Sequence, residues 1–142
     1  MTRTQLNRFI KKINYGKSIQ LVYYSGKGRS HWNSFVGYAE WKIGLFKKIH
    51  INKKVWAKLN NMDKKLFLAH EVGHFRTNFY NSKLLHVAEY GAQRWAIYRL
   101  RELGMIKISK NLRDEMEVLW KNNKFTRYRL AYKLAKKKNL IS

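Results

Sequence analysis

The sequence predicts an α+β fold, in which a small N-terminal antiparallel sheet is followed by a helical C-terminal half. The first 60 residues hold short runs of alternating apolar and polar side chains between glycine-containing turns, as strands do. From Asn61 the apolar side chains recur every three or four residues, which is typical of helices. No repeat, linker or proline divides the 142 residues, so we expect one domain. It would comprise a helix and sheet over 1–60, a helix pair over 61–104 and a basic helical tail over 105–142.

An amphipathic helix is expected over residues 3–14, because four apolar side chains recur there at helical spacing: Leu6, Phe9, Ile10 and Ile13. SIQLVYY then predicts a strand, and SGKGRS predicts a hairpin turn, since it lacks the spacing of a phosphate-binding loop. FVGYAEWKIGLF and KKIHINKKVW are interpreted as further strands. In the latter, Ile49 and Ile51 would lie on one face, with His50 and Asn52 on the other.

Four helices are expected in the C-terminal half. They run from about residue 63 to 78, from about 83 to 103, from 109 to 120, and over RYRLAYKLAKKK near the carboxyl end. Polar residues at three of the starts, and a glycine after the second helix, are interpreted as caps: Asp63, Gly104, Ser109 and Thr126.

The charge balance is strongly basic, with 31 lysines and arginines against 8 aspartates and glutamates and a formal net charge of +23. Such a charge attracts nucleic acid, anionic lipid or an acidic protein. Alternatively, the lysines reflect an AT-rich genome and serve solubility alone. Eight basic residues and no acid lie between Lys121 and Lys138, either as a binding surface or as a solvated helix face.

The composition also limits location and chemistry. The amino terminus lacks the continuous apolar run of a signal peptide and no window approaches a membrane span, so a cytoplasmic protein without membrane association is expected. The absence of cysteine excludes disulfides, thiolate metal ligands and a cysteine nucleophile. Any metal site must therefore use histidine, aspartate or glutamate.

The stretch LAHEVGH, Leu68 to His74, carries the strongest chemical signal. Residues four apart share one helix face, so His70 and His74 can ligate a single zinc ion. Zinc lowers the pKa of a bound water to about 7, and the carboxylate of Glu71 is close enough to accept its proton. The pattern predicts a zincin-like helix, and Gly73 would let another backbone segment approach it. Alternatively, the two histidines are merely packed or solvated.

A third ligand is needed, and His86 and Glu89 near the start of the next helix are the candidates. A helix hairpin would place that helix antiparallel to the first and turn one of these side chains towards the metal. An unpaired carboxylate is costly to bury, and Glu89 has apolar neighbours on its helix face: Leu85, Ala88, Ala92 and Ala96. The alternative makes Glu89 an ion-pair partner of Arg94 or Lys83.

FLAHEVGHF, followed by AEYGAQRWAIYRL, resembles the ImmA/IrrE family of metallo-endopeptidases, which are common in phages and mobile elements. That family pairs an HExxH helix with a downstream helix of the form Glu-x-x-Ala-x-x-Trp/Phe-Ala, which is met here by Glu89, Ala92, Trp95 and Ala96. The resemblance covers roughly residues 45–103. It implies that His70, His74 and Glu89 hold zinc, that Glu71 is the general base, and that the substrate is a repressor-type transcription regulator.

The expected activity is therefore zinc-dependent peptide hydrolysis, with His86 or Tyr90 stabilising the oxyanion. Proteases of this class hold an extended substrate along a sheet edge, and the strand around Ile49 to Asn52 is the candidate edge. His50 on its polar face would lie near the cleft or in solvent, and solvent is the favoured expectation. The rival function is that of a basic nucleic-acid-binding regulator, in which the metal site is structural or absent.

Overall fold

A computed structural model describes residues 1–25, 36–42, 46–77 and 84–142 of the chain, with only the backbone of Trp41, Lys42 and Phe46. The α+β class is confirmed, since these ranges form six α-helices and a sheet of three strands. The chain divides into two compact units, Met1–Glu71 and Val72–Ser142. The SGKGRS turn lies outside the described residues beyond Ser25.

Helix α1 (Arg3–Ile13) opens the first unit and follows the predicted pattern. Its start is fixed by a capping box: the Thr2 hydroxyl accepts from the Gln5 backbone amide, and the Gln5 side chain accepts from the Thr2 amide. Four apolar side chains on one face are buried, as expected: Leu6, Phe9, Ile10 and Ile13.

The sheet consists of β1 (Gln20–Tyr24), β2 (Gly37–Lys42) and β3 (Phe46–Asn52) in the order β1-β3-β2. Strand β2 pairs antiparallel with β3, whereas β1 pairs parallel with it. The prediction of an antiparallel sheet is therefore wrong for β1. Alternation of side chains predicts strands but not their order, and here the last strand inserts between the first two.

Strand β3 has a buried face and a polar face, as predicted. Ile49 and Ile51 are fully buried, with Leu21 of β1 opposite Ile49. The prediction that β3 is an edge is wrong, because β1 and β2 pair with it on its two sides. The strand also ends sooner than KKIHINKKVW indicated: Asn52 accepts from the Lys54 amide and caps the short helix α2 (Lys53–Trp56).

Helix α3 (Asn61–Arg76) contains the LAHEVGH stretch. Its N-cap is Asn60 rather than Asp63, because the Asn60 side chain accepts a 2.8 Å hydrogen bond from the Asp63 amide. Asp63 instead lies in the first turn, where its negative charge favours the positive end of the helix dipole. The boundary between the two compact units falls within α3, after Glu71.

The second unit continues with α4 (Leu85–Glu102), α5 (Ile106–Glu115), a π-helical segment (Met116–Trp120) and α6 (Thr126–Lys137). Gly104 ends α4 as predicted: its φ of 75° is left-handed, and the next amide, that of Met105, donates back to the Leu100 carbonyl. On α4, Ala88, Ala92, Ala96 and Leu100 are buried.

Two predicted N-caps of this unit are wrong. Ser109 lies inside α5 and is buried, since the helix begins three residues earlier at Ile106. Thr126 is the first residue of α6, and the Asn123 side chain accepts from the Phe125 amide just before it. In both cases the predicted hydroxyl lies close to the true start of the helix but does not cap it. None of the helices in the described part of the chain is long and apolar enough to cross a membrane.

Candidate metal centre

Helix α3 brings three potential metal ligands together: His70, Glu71 and His74. Each offers one ligand atom, and these atoms lie within 4.8 Å of one another. The carboxylate-bearing Glu71 is only 7% exposed, and its neighbour Val72 is fully buried. The arrangement follows from helical spacing, since His74 lies four residues after His70 and three after Glu71, and both spacings place side chains on one face. This group could hold a metal ion.

Glu89 lies against one of these residues, within the second unit. Its Oε2 is 3.5 Å from His74 Nε2, and the two side chains are 13% and 12% exposed. The separation exceeds the usual 2.7–3.2 Å of an N–H···O hydrogen bond. Two ligands bound at about 2.0–2.1 Å to one tetrahedral zinc ion are about 3.4 Å apart. The distance meets that of a His–carboxylate ion pair, and it also leaves both groups close enough to contact one ion.

Gly73 makes the close approach of α3 and α4 possible. A Cβ atom built on Gly73 would lie 2.3 Å from the carbonyl oxygen of Ala92, far inside van der Waals contact. Gly73 thus faces Ala92, while His74 faces Glu89. Moving forward along α3 from Gly73 to His74 therefore means moving back along α4 from Ala92 to Glu89. The two helices are antiparallel here, as the sequence predicted. A side chain at Gly73 would separate the backbones that hold His74 and Glu89 together.

Among the described residues, the ion-pair partner found for Glu89 is His74. The Arg94 guanidinium lies 4.9 Å from the ring centroid of Tyr98. Lys83 lies outside the described residues. The apolar surroundings predicted for Glu89 are correct for Ala88, Ala92 and Ala96 but wrong for Leu85, which is 55% exposed at the start of α4.

His86 and Tyr90, the two residues predicted to stabilise the oxyanion, lie in different environments. His86 is partly exposed in the first turn of α4, one turn before Glu89. Tyr90 is buried, and its burial, together with nearby Tyr98, raises the pKa of the phenol, although Arg94 opposes that shift. The Tyr90 hydroxyl therefore stays protonated at neutral pH and is able to donate a hydrogen bond.

A second polar cluster, on the sheet of the first unit, was not predicted. His50 Nε2 lies 3.1 Å from Glu40 Oε2, and the His50 ring stacks on Tyr38 with centroids 4.5 Å apart. The expectation that His50 lies in solvent is therefore wrong, since its side chain is only 15% exposed. Burial raises the pKa of Tyr38, and Glu40 raises it further. The cluster depends on pairing Tyr38 with His50 across strands, a register that a single sequence does not reveal.

Comparison of the chain with protein-family models, curated proteins and solved structures finds no match.

Proposed function

We propose that the protein is a zinc-dependent endopeptidase of the ImmA/IrrE type. The observation that carries this proposal is the clustering of His70, Glu71 and His74 on α3, with Glu89 next to His74. The motif resemblance described above supports the same function. We infer that His70, His74 and Glu89 are the metal ligands and that Glu71 is the general base.

The donor set fits zinc. Imidazole nitrogens and carboxylate oxygens are usual zinc ligands, and three protein ligands leave a position open for a reaction. The chain has no cysteine, so a closed thiolate site is excluded. When bound, zinc supplies Lewis-acid chemistry that polarises a carbonyl and makes water a nucleophile at neutral pH.

Side chains of the protein would transfer the proton and stabilise the negative charge that develops on the substrate. Glu71 accepts a proton from the attacking water at a carboxylate oxygen and passes it to the departing amine nitrogen. Burial of Glu71 keeps bulk water from competing for that proton. His86 or the protonated Tyr90 donates a hydrogen bond to the oxyanion that develops on the substrate carbonyl.

The proposed substrate is a repressor-type regulatory protein, bound in an extended form. Within the described part of the sheet, a peptide that adds as a strand pairs with β1 or β2, because β3 has partners on both sides. This replaces the expectation that the strand at Ile49 to Asn52 receives the substrate.

Metal content tests the ligand set. Native mass spectrometry of zinc-supplied protein should show one zinc ion per chain in the wild type and much weaker retention in Glu89→Ala. Glu102→Ala is the matched control, because Glu102 lies on the same helix but is 64% exposed and pairs with Arg99. Absence of zinc from the wild type, or equal retention by Glu89→Ala and the wild type, would refute the proposed ligand set.

Hydrolysis tests the general base. Wild-type protein loaded with zinc should cleave members of a random peptide library, read out by mass spectrometry. Glu71→Gln should retain zinc yet lose cleavage by a factor of about 10² or more, because the amide cannot accept the proton. Cleavage by Glu71→Gln at the wild-type rate would rule out this mechanism.

A further inference from the structure

Helix α6 presents a row of cationic side chains on the side away from the interior of its unit. Arg129, Lys133 and Lys137, hereafter the α6 basic row, are spaced four residues apart and so lie about 6 Å apart along the helix axis. The opposite side of α6 is buried through Ala131, Tyr132 and Ala135. The row is thus a fixed feature of a packed helix, because burial of the other face determines which way it points.

The charge of the row is not neutralised by described carboxylates. Lys133 and Lys137 are exposed, and neither has a described carboxylate within 4.0 Å. Arg129 is held by neutral groups, since it donates to the Asn123 carbonyl and to the Thr126 hydroxyl.

Glu117, on the π-helical segment, already has other partners. Its Oε1 lies 3.8 Å from Lys136, and its Oε2 accepts a 2.9 Å hydrogen bond from the Tyr132 hydroxyl. The sequence between Lys121 and Lys138 contains no acidic residue that could pair with the row instead. The row therefore offers three positive charges to an external partner.

The chemistry of the row favours nucleic acid over the other anionic partners. Lysine is depleted from protein–protein interfaces, whereas flexible lysines are well suited to neutralise phosphates. A membrane-surface helix would turn its apolar face towards lipid, but the apolar face of α6 is buried within its own unit. Duplex nucleic acid presents a regular line of phosphates along each strand, and long flexible lysine side chains can reach several of them from one helix face.

We propose that the α6 basic row binds the phosphate backbone of duplex nucleic acid, without base specificity. This inference does not rest on the proposed peptidase activity, because none of its residues belongs to the candidate metal centre. It locates part of the large positive charge of the chain on one face of α6, and it adds a second binding function.

The test is fluorescence anisotropy of a labelled 20-base-pair DNA duplex of mixed sequence, titrated with the full chain at several salt concentrations. Lys133→Gln/Lys137→Gln should bind about tenfold to a hundredfold more weakly than the wild type at about 0.1 M salt. The slope of log affinity against log salt concentration should become shallower by about 2, since each lost phosphate contact contributes about 0.9.

The matched control is Lys11→Gln/Lys58→Gln, which gives the same net charge by changing two exposed lysines of the first unit. It should retain nearly wild-type affinity and slope. Equal losses in both double variants would overturn the assignment, because binding would then follow total charge. Tighter binding to polyglutamate than to the duplex, with the same dependence on Lys133 and Lys137, would also overturn it in favour of an acidic protein partner. Circular dichroism checks that each variant is folded.

Discussion

Gly73 is the residue on which the approach of His74 to Glu89 depends. Glycine inside a helix normally costs about 1 kcal/mol relative to alanine, so replacing it usually stabilises a protein. Here the added methyl group would lie 2.3 Å from the Ala92 carbonyl oxygen, which belongs to the backbone and cannot move without shifting α4. The steric effect should therefore outweigh the helix propensity.

Gly73→Ala should lower the free energy of unfolding by about 1–3 kcal/mol and weaken zinc binding at the same time. Urea denaturation and zinc titration measure the two effects. Gly16→Ala is the control: Gly16 has a φ of 82° but nothing within 4 Å, so only stability should fall, through backbone strain. A Gly73→Ala protein more stable than the wild type would show that α4 adjusts without cost.

Tyr132 provides a pH-dependent contribution to stability. Burial, and the hydrogen bond that it donates to Glu117, raise the pKa of its phenol. A group with a raised folded-state pKa stabilises the fold fully below its unfolded pKa of about 10, and this contribution is lost as pH rises through the folded value. Tyr132→Phe should therefore melt at a lower temperature than the wild type at pH 7.

The difference between the two melting temperatures should shrink as pH rises above about 10. Tyr98→Phe, which alters a phenol that is 46% exposed, should melt close to the wild type across the same range. A melting-temperature difference for Tyr132→Phe that stays constant to high pH would mean that the hydroxyl does not contribute through its protonated form.

The α3 cluster could be predicted from sequence because its geometry is local. Helical spacing alone places His70, Glu71 and His74 near one another. A helix hairpin makes His86 and Glu89 the candidates for a third ligand, and of these Glu89 lies beside His74. The pairing of Glu40 with His50 could not be predicted, because it depends on the register between two strands.

At the level of elements, the start of α3 depends on Asn60. Removing a side chain that caps a helix costs about 0.5–2 kcal/mol, whereas a first-turn charge contributes about 0.3–1 kcal/mol through the helix dipole. Asn60→Ala should therefore destabilise the protein more than Asp63→Asn does, as measured by urea denaturation. The reverse order would mean that Asp63 is the cap, as the sequence alone had indicated.

Helices and strands were predicted more reliably than their ends and their partners. Apolar periodicity is repeated over many residues and so identifies α1, α3, α4 and α6. A cap is a single residue, and several polar residues near a helix start are able to act as the cap. The predicted caps Asp63, Ser109 and Thr126 are wrong for this reason. Strand order has no local signal at all, and the parallel pairing of β1 with β3 was missed for that reason.

At the scale of the whole molecule, the net charge is +23, and the positive side chains repel one another. Salt screens interactions between exposed charges, with a Debye length of about 30 Å at 0.01 M and about 8 Å at 0.15 M. Raising NaCl from about 0.01 M to about 0.15 M should therefore raise the melting temperature, by on the order of a few degrees. Potassium chloride should act equally, and a falling melting temperature would show that attractive ion pairs dominate.

The central position of β3 has a consequence for biosynthesis. Within the described residues, β1 and β2 pair with β3 and not with each other, and Gln20 of β1 lies opposite Lys48 of β3. A ribosome therefore releases both outer strands before their shared partner has emerged. During that interval the backbone amides and carbonyls of β1 and β2 lack the partners that β3 provides. The complete sheet can form only after Asn52, the last residue of β3, has been translated. Unpaired strand edges are prone to pair with other chains, so this interval exposes the N-terminal half to aggregation.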